Sequence, residues 1–333
     1  MLSRFLAVVI TLGVILFAGW WSLKRDDIPY EQLETIYASS DSRYLALDDE
    51  KRIHFRDVGP REAPTVILVH GFSASLHTWE PWVADLKRDY RVITLDLPGH
   101  GLSRCLDNDE IGTDQFVDVI DRVANALKVD RFTLAGNSMG GGAAWNYALA
   151  HPARLEGLVL VDAAGWPRAA EETDSRPLVF RLLEIGIARK LIKDLDMSSL
   201  IRPGLEDSFA DPAFVTDAMV DRYASLARAP CHREALLALS AGRGTRAEAS
   251  PERLSAIAVP TLVMHGEKDN VIPASHGEQF AAAIPGAELK LYPDVGHLPQ
   301  EEIAAQSVAD LRTFLTSRVH GASPADESAL PTN

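Results

Sequence analysis

The stretch that decides the fold is Phe132-Thr133-Leu134-Ala135-Gly136-Asn137-Ser138-Met139-Gly140-Gly141-Gly142-Ala143-Ala144-Trp145. Its first four residues form a short apolar run of the kind found in strands buried on both faces. From Met139 onward the residues suit a helix that runs through Ala143, Ala144, Trp145 and Tyr147. Between the two stands Gly136-x-Ser138-x-Gly140. A strand that turns directly into a helix forces the central residue into a strained bend, and glycines two before and two after keep Cβ atoms out of it. The Ser138 hydroxyl is then expected at the C-terminal edge of a sheet, beside a helix N-terminus, where open α/β sheets place ligands. The pentapeptide alone is weak evidence; its strand-to-helix context gives it weight.

Working outward, Thr65–Val69, Arg91–Leu95, Leu158–Val161 and Thr261–Met264 are also continuous apolar runs, separated by helix-length segments. Buried strands joined by helical crossovers make an α/β fold with a mostly parallel sheet. Tyr44–Leu47 and Arg52–Arg56, on either side of Asp48-Asp49-Glu50, read as a hairpin. Between Gly165 and about Pro260 the strand rhythm stops. Helices are expected there instead, such as Leu178–Leu195 and Ala213–Ala227, broken by Pro203-Gly204, Pro230 and Pro251. The expected organisation is a membrane segment over 1–24, a stalk over 25–42, sheet domain over 43–164, an inserted helical lid over 165–259, sheet domain again over 260–318, and a disordered tail over 319–333.

The N-terminal segment rests on a run of 17 residues, Phe5–Trp21, apolar or small throughout apart from Thr11. A helix of that length reaches about 25 Å, near the short end of what crosses a bilayer. Trp20 and Trp21 close the run with rings suited to the headgroup region. A cleaved signal peptide would end on a small-x-small site, which Ala18-Gly19-Trp20-Trp21 supplies poorly. An uncleaved anchor with the catalytic part outside the cytoplasm is therefore expected.

The chain of 333 residues has 47 acidic and 33 basic side chains, a formal charge of -14. That balance argues against nucleic acid as a partner. Two cysteines, Cys105 and Cys231, are too few for a disulfide framework or a metal cluster of their own, and the sequence does not say whether they pair.

An unperturbed hydroxyl is a poor nucleophile and needs a base oriented by a third group. His297 lies in Pro293-Asp294-Val295-Gly296-His297-Leu298-Pro299, after the late strand Ala287–Tyr292, so its loop returns to the edge that carries Ser138. Asp269, in His265-Gly266-Glu267-Lys268-Asp269-Asn270-Val271-Ile272-Pro273, is the preferred acid. Asp162, at the end of Leu158–Val161, is the alternative. The backbone N–H groups of Phe72, after His70-Gly71, and of Met139 are the expected oxyanion hole, the second reinforced by the helix N-terminus. His70 itself reads as a structural hydrogen-bonder, and Asp294 as a turn residue.

His70-Gly71-Phe72, Asp96-Leu97-Pro98-Gly99-His100-Gly101, Gly136–Gly142, Gly266–Pro273 and Gly296-His297 together resemble the α/β-hydrolase superfamily over roughly Arg43–Ser317. The apolar N-terminus plus Gly-Asn-Ser-Met-Gly-Gly resembles membrane-anchored bacterial lipases and esterases with a lid. That resemblance implies an α/β-hydrolase fold, a Ser138-His297-Asp269 triad, and acyl transfer through an acyl-enzyme. It also implies a small lipophilic acyl ester substrate and no metal or organic cofactor. The partly apolar stretch Leu178–Leu191 could line an acyl channel, touch lipid or simply pack. Serine at the elbow disfavours the halide and epoxide chemistry of relatives that carry aspartate there. The same hexapeptide occurs in hydrolases that cut carbon–carbon bonds of ring-cleavage products, which stand as the alternative. A catalytically silent scaffold on this fold is the remaining possibility.

Overall fold

The five apolar runs become neighbours in one sheet. The computed structural model describes residues 2–48, 51–107, 110–167, 193–196, 198–241 and 248–321. Its strands are β1 (Ser42–Ala46), β2 (Arg52–Val58), β3 (Thr65–Val69), β4 (Arg91–Leu95), β5 (Phe132–Asn137), β6 (Leu155–Val161), β7 (Thr261–Gly266) and β8 (Glu288–Tyr292). They form an eight-stranded sheet in the order β1-β2-β4-β3-β5-β6-β7-β8. The hairpin β1–β2 and the β2–β4 pair are antiparallel, and every pair from β4 to β8 is parallel. Strands β3 to β5 are buried at every position, as continuous rather than alternating apolar runs require.

Helices α1 (Leu2–Leu23), α2 (Tyr30–Tyr37), α3 (Glu80–Leu86), α4 (Thr113–Ala126) and α5 (Met139–Ala150) precede β6. The face of the sheet under α4 and α5 buries Phe116, Val119, Ile120, Trp145 and Tyr147 with Ile67, Leu134 and Leu160. The opposite face buries Trp79, Trp82, Leu311 and Phe314 with Val66, Leu68, Val159 and Met264. Residues of one strand alternate between these two layers, so the apolar runs are continuous because both faces are covered.

Between β6 and β7 stand α6 (Ser198–Glu206), α7 (Asp217–Ala227) and α8 (His232–Ser240), and then a short turn of helix at Pro251–Leu254. Thr216 caps α7 by accepting from the Met219 N–H, which fixes where that helix begins. Most of the expected helix Leu178–Leu195, and nearly all of the expected tail 319–333, lie outside the described residues. Cys105, in the loop after β4, is bonded to Cys231, just before α8, with Cα atoms 6.3 Å apart.

One expectation about the N-terminus needs correcting. Within the expected stalk, α2 docks on the body: Tyr30 and Leu33 are buried with Leu102, Leu226 and Ala229. The segment before it is also held, because Arg25 N–H donates to the Asp194 carbonyl, Asp196 N–H to Leu23, and Ile28 N–H to Arg228. The alternation Tyr30, Leu33, Tyr37 is a helical stripe hidden among charges. As for the membrane segment, over the described residues no helix is long and apolar enough to cross a membrane. The backbone of α1 is nonetheless helical for 22 residues, with its side chains described in part. Phe5, Leu6, Ile10, Val14, Ile15, Phe17, Trp21 and Leu23 on it are all more than half exposed.

Candidate active site

Strand β5 feeds directly into α5, and Ser138 is the single residue between them. Its backbone is strained, at φ 54 and ψ -118. The sheet ladder enforces that strain from both sides. Ser138 N–H donates to the Val161 carbonyl at 3.0 Å, and its carbonyl accepts from Ala164 and Gly142, each at 2.9 Å. The flanking glycines are required by space: a Cβ on Gly136 would lie 2.2 Å from the Gly140 carbonyl oxygen, and one on Gly140 would lie 2.3 Å from that of Val69.

The loop after β3 packs on this elbow. A Cβ on Gly71 would stand 3.0 Å from the Cβ of Ser138, so the His70-Gly71-Phe72 backbone runs alongside the serine. Among the described residues, neither the Phe72 nor the Met139 N–H has a hydrogen-bond acceptor. Two orphan donors flanking a serine at a helix N-terminus suit a developing oxyanion. His70 is wholly buried, its Nε2 accepting from the Leu97 N–H, and burial lowers its pKa. It is a structural residue, as the sequence suggests.

The loops after β7 and β8 bring Asp269 and His297 together, with His297 Nδ1 2.6 Å from Asp269 Oδ2. The other carboxylate oxygen accepts from Val271 N–H at 2.7 Å and Ile272 N–H at 2.9 Å. Burial alone would raise the Asp269 pKa, but the neighbouring His265, the hydrogen bond from His297 and that from Ile272 N–H hold it below the usual carboxylate range. Asp162, the alternative acid, is also buried here, and its Oδ1 accepts from Gly266 N–H at 2.9 Å. Between the two, only Asp269 is hydrogen-bonded to His297.

Two supporting residues stand in the quoted motifs with no role assigned to them from the sequence. Asn137 donates from its side-chain amide to the His297 carbonyl at 3.1 Å and to that of Val161 at 3.2 Å, tying the histidine loop to the serine elbow. Its position as the variable residue of Gly-x-Ser gave no hint. Asp96 closes β4 and accepts from His54 Nδ1, Leu76 N–H and Leu102 N–H, at 2.7, 2.7 and 2.8 Å, shaping the loops beneath His70. A charged residue ending an apolar run was the available signal.

Asp162, Asp269 and His297 place ligand atoms within 4.8 Å of one another, close enough in principle to hold a cation. The 2.6 Å contact between His297 and Asp269 is instead a hydrogen bond, shorter than the spacing of two ligands around one ion.

Residues 64–303 match the family model described as alpha/beta hydrolase fold. The chain belongs to that family. Among curated relatives, it is 30% identical to the 2-hydroxy-6-oxo-6-phenylhexa-2,4-dienoate hydrolase of Burkholderia cepacia, over 80% of this chain and 93% of that one. It is 32% identical to the dihydrolipoyllysine-residue acetyltransferase component of the acetoin cleaving system of Cupriavidus necator, spanning 64% of that protein's length. Among solved structures, a meta-cleavage product hydrolase superimposes with a TM-score of 0.69 at 25% identity, covering 83% of this chain and 98% of that one. A membrane phospholipase A described as a bacterial virulence factor also gives 0.69 at 25% identity, covering 97% of this chain and 100% of that one. A third curated relative, the 2-hydroxymuconate semialdehyde hydrolase of Pseudomonas sp. (strain CF600), is 30% identical over 75% of this chain and 86% of that one.

Proposed function

We propose that this α/β-hydrolase cleaves carboxylic esters of lipophilic acyl groups through a covalent intermediate on Ser138, at a membrane to which α1 holds it. The observation that carries this reading is the reach of the likeness to the membrane phospholipase A. A 97% share of 333 residues leaves only about ten uncovered, fewer than the 22 of α1. The ring-cleavage structure covers 83%. A second observation supports it: a disulfide between Cys105 and Cys231 suits an oxidising compartment, outside the cytoplasm.

In the proposed mechanism His297 gives its Nδ1–H to Asp269, which leaves Nε2 as the basic nitrogen. Nε2 takes the Ser138 proton as the hydroxyl oxygen attacks the ester carbonyl. The Phe72 and Met139 N–H groups meet the charge that develops on the carbonyl oxygen. The imidazolium then protonates the leaving alkoxide, and an acyl-enzyme remains. Water, deprotonated by the same nitrogen, releases the acid and restores Ser138. Asp269 keeps its negative charge throughout and stabilises the transient imidazolium. The helices between β6 and β7 serve in this reading as the lid that sets acyl selectivity.

The relatives' names favour a second reading, hydrolysis of the carbon–carbon bond of a ring-cleavage product by the same residues. A panel of p-nitrophenyl esters of rising chain length, run beside a vinylogous diketone, separates the two. Turnover of esters is expected, with a preference for longer acyl chains; turnover of the diketone alone would replace the first reading with the second. Labelling by a fluorophosphonate, abolished by Ser138→Ala, is expected under both and excludes a silent scaffold.

A further inference from the structure

One buried acid has no part in that mechanism. Asp162 closes β6, is 0% exposed, and holds a left-handed backbone at φ 44. Its Oδ1 accepts from Gly266 N–H, while Oδ2 has no hydrogen-bond partner among the described residues. Ligand atoms of Asp162, Asp269 and His297 lie within 4.8 Å of one another, in the same buried space. The other titratable groups around this point are known. From β7 comes His265, whose Nε2 is 3.5 Å from an oxygen of each aspartate and 3.0 Å from the Ile272 carbonyl, to which it donates. From β8 comes Tyr292, and from the helix beyond His297 comes Glu302.

Two ionised carboxylates so close, out of water, repel strongly unless one keeps a proton. The donors decide which one. Asp269 receives two backbone N–H groups and His297; Asp162 receives one N–H and leaves Oδ2 bare. We propose that Asp162 is a neutral carboxylic acid whose Oδ2–H is directed at the Asp269 carboxylate, a positioning residue that acts on His297 through Asp269. Burial and then the charge of Asp269 raise the Asp162 pKa well above the carboxylate range, the direction this geometry requires. The role differs from that of the alternative triad acid, which would have to be ionised and bonded to the histidine. It refines the serine-hydrolase reading and rests on it.

The test starts by labelling the wild-type enzyme with a fluorophosphonate, which checks the serine hydrolase reading without reference to Asp162. Asp162→Asn and Asp162→Leu are then compared in kcat, KM and pH profile. Asparagine offers a neutral N–H donor in the place of the acid, so kcat should stay within about tenfold, KM should hold, and the acidic limb of kcat/KM should not move. Leucine offers none; kcat should fall about a hundredfold and the limb should move up, because a less solvated Asp269 favours the His297 imidazolium. A limb that moves down by about a unit in Asp162→Asn would mean that a full negative charge had been removed, and would overturn the proposal. So would equal losses in the two variants. If Asp162→Leu does not fold, the infrared difference spectrum between wild type and Asp162→Asn decides: a protonated-carboxyl band should be lost, and no such band in the wild type refutes the assignment. A wild type that resists labelling would sink the hydrolase reading instead, with the infrared result still deciding the protonation of Asp162.

Discussion

Replacing Cys105 and Cys231 by alanine tests how the helices between β6 and β7 are held to the sheet. The two residues are 126 apart in sequence, so their bond closes a long loop in the unfolded chain. In the chain-entropy model a loop of that size removes 2.1 + 1.5R ln 126, roughly 16 cal/mol/K, or about 5 kcal/mol at 25 °C. Packing beside the bond survives its loss. The Tyr30 hydroxyl meets His232 Nε2 at 3.0 Å, that ring also reaches the carbonyls of Ser103 and Leu226 at 2.8 Å each, and Leu33, Leu102, Leu226 and Ala229 stay buried together. The double variant is therefore expected to fold, to keep its reactive serine, and to lose about 3–5 kcal/mol of unfolding free energy. Urea unfolding followed by tryptophan fluorescence measures this on the oxidised protein, the reduced protein and the double variant, with the bond verified by mass spectrometry. A loss below about 1 kcal/mol from a verified bond would refute the loop-closure argument. Loss of serine labelling in a variant that is still folded would refute the claim that packing alone keeps the helices in register.

Four further substitutions probe the site and its surroundings. Gly140→Ala drives a Cβ to 2.3 Å from one fixed carbonyl oxygen and 2.5 Å from another, and should lower the fluorophosphonate labelling rate more than a hundredfold or prevent folding. Gly204→Ala in α6, with open space around its Cβ, should instead raise stability by about 0.5–1 kcal/mol; equal effects of the two in thermal melts and labelling would contradict the steric argument. Asp269→Asn, which removes the charge that stabilises the imidazolium, should lower kcat about 10³- to 10⁴-fold with little change in KM, and a loss under tenfold in steady-state assays would point to another acid. Burial pushes the Glu301 carboxyl up to about 7, against the bond from the Thr78 hydroxyl. At Glu301 the folded state thus keeps a proton that the unfolded state has lost above about pH 4.3, so this group's contribution to stability falls as pH rises from about 4.5 to 7 and is flat beyond. Glu301→Gln should remove that contribution, so its stability relative to wild type should rise between pH 5 and 8, by about 1–3 kcal/mol at pH 8; a difference between the two proteins in urea unfolding that does not change from pH 5 to 8 would refute the assignment.

The sheet was legible because its evidence is local. Val66-Ile67-Leu68-Val69 and Leu134-Ala135 can only be strands covered on both sides, and Gly136 and Gly140 announce a turn with no room for a Cβ. The pairing of His297 with Asp269 was legible for a related reason, since both follow parallel strands and parallel strands end on one edge. What stayed hidden depends on contacts across long sequence distances. Asn137 reaches His297 across 160 positions and Tyr30 reaches His232 across 202, and neither side chain differs in type from ordinary turn or surface residues. The choice between Asp269 and Asp162 was of the same sort. Both end up in the same buried space, and only the donors around each tell them apart.

Those donors also explain why the elbow can hold two strained residues side by side. Ser138 and Asp162, at φ 54 and φ 44, follow neighbouring strands, and either alone would tend to relax toward ordinary backbone. Each is locked by the ladder of the next strand: Ser138 N–H to Val161, Asp162 N–H to Met264, and Ala164 N–H back to the Ser138 carbonyl, all within 2.9–3.0 Å. Relaxing one would break bonds that hold the other, so the strain is shared by a sheet that is buried on both faces. A site fixed this firmly has little scope to adapt to its substrate. Selectivity must then reside in what is laid over it, the helices between β6 and β7, and these are tied to the exit of α1 through Arg25, Ile28 and Tyr30 and to the sheet through Cys231. On the proposed reading, the segment that meets the membrane and the segment that selects the acyl group are one mechanical unit, so changes at residues 24–33 should alter acyl-chain preference before they alter the reactivity of Ser138.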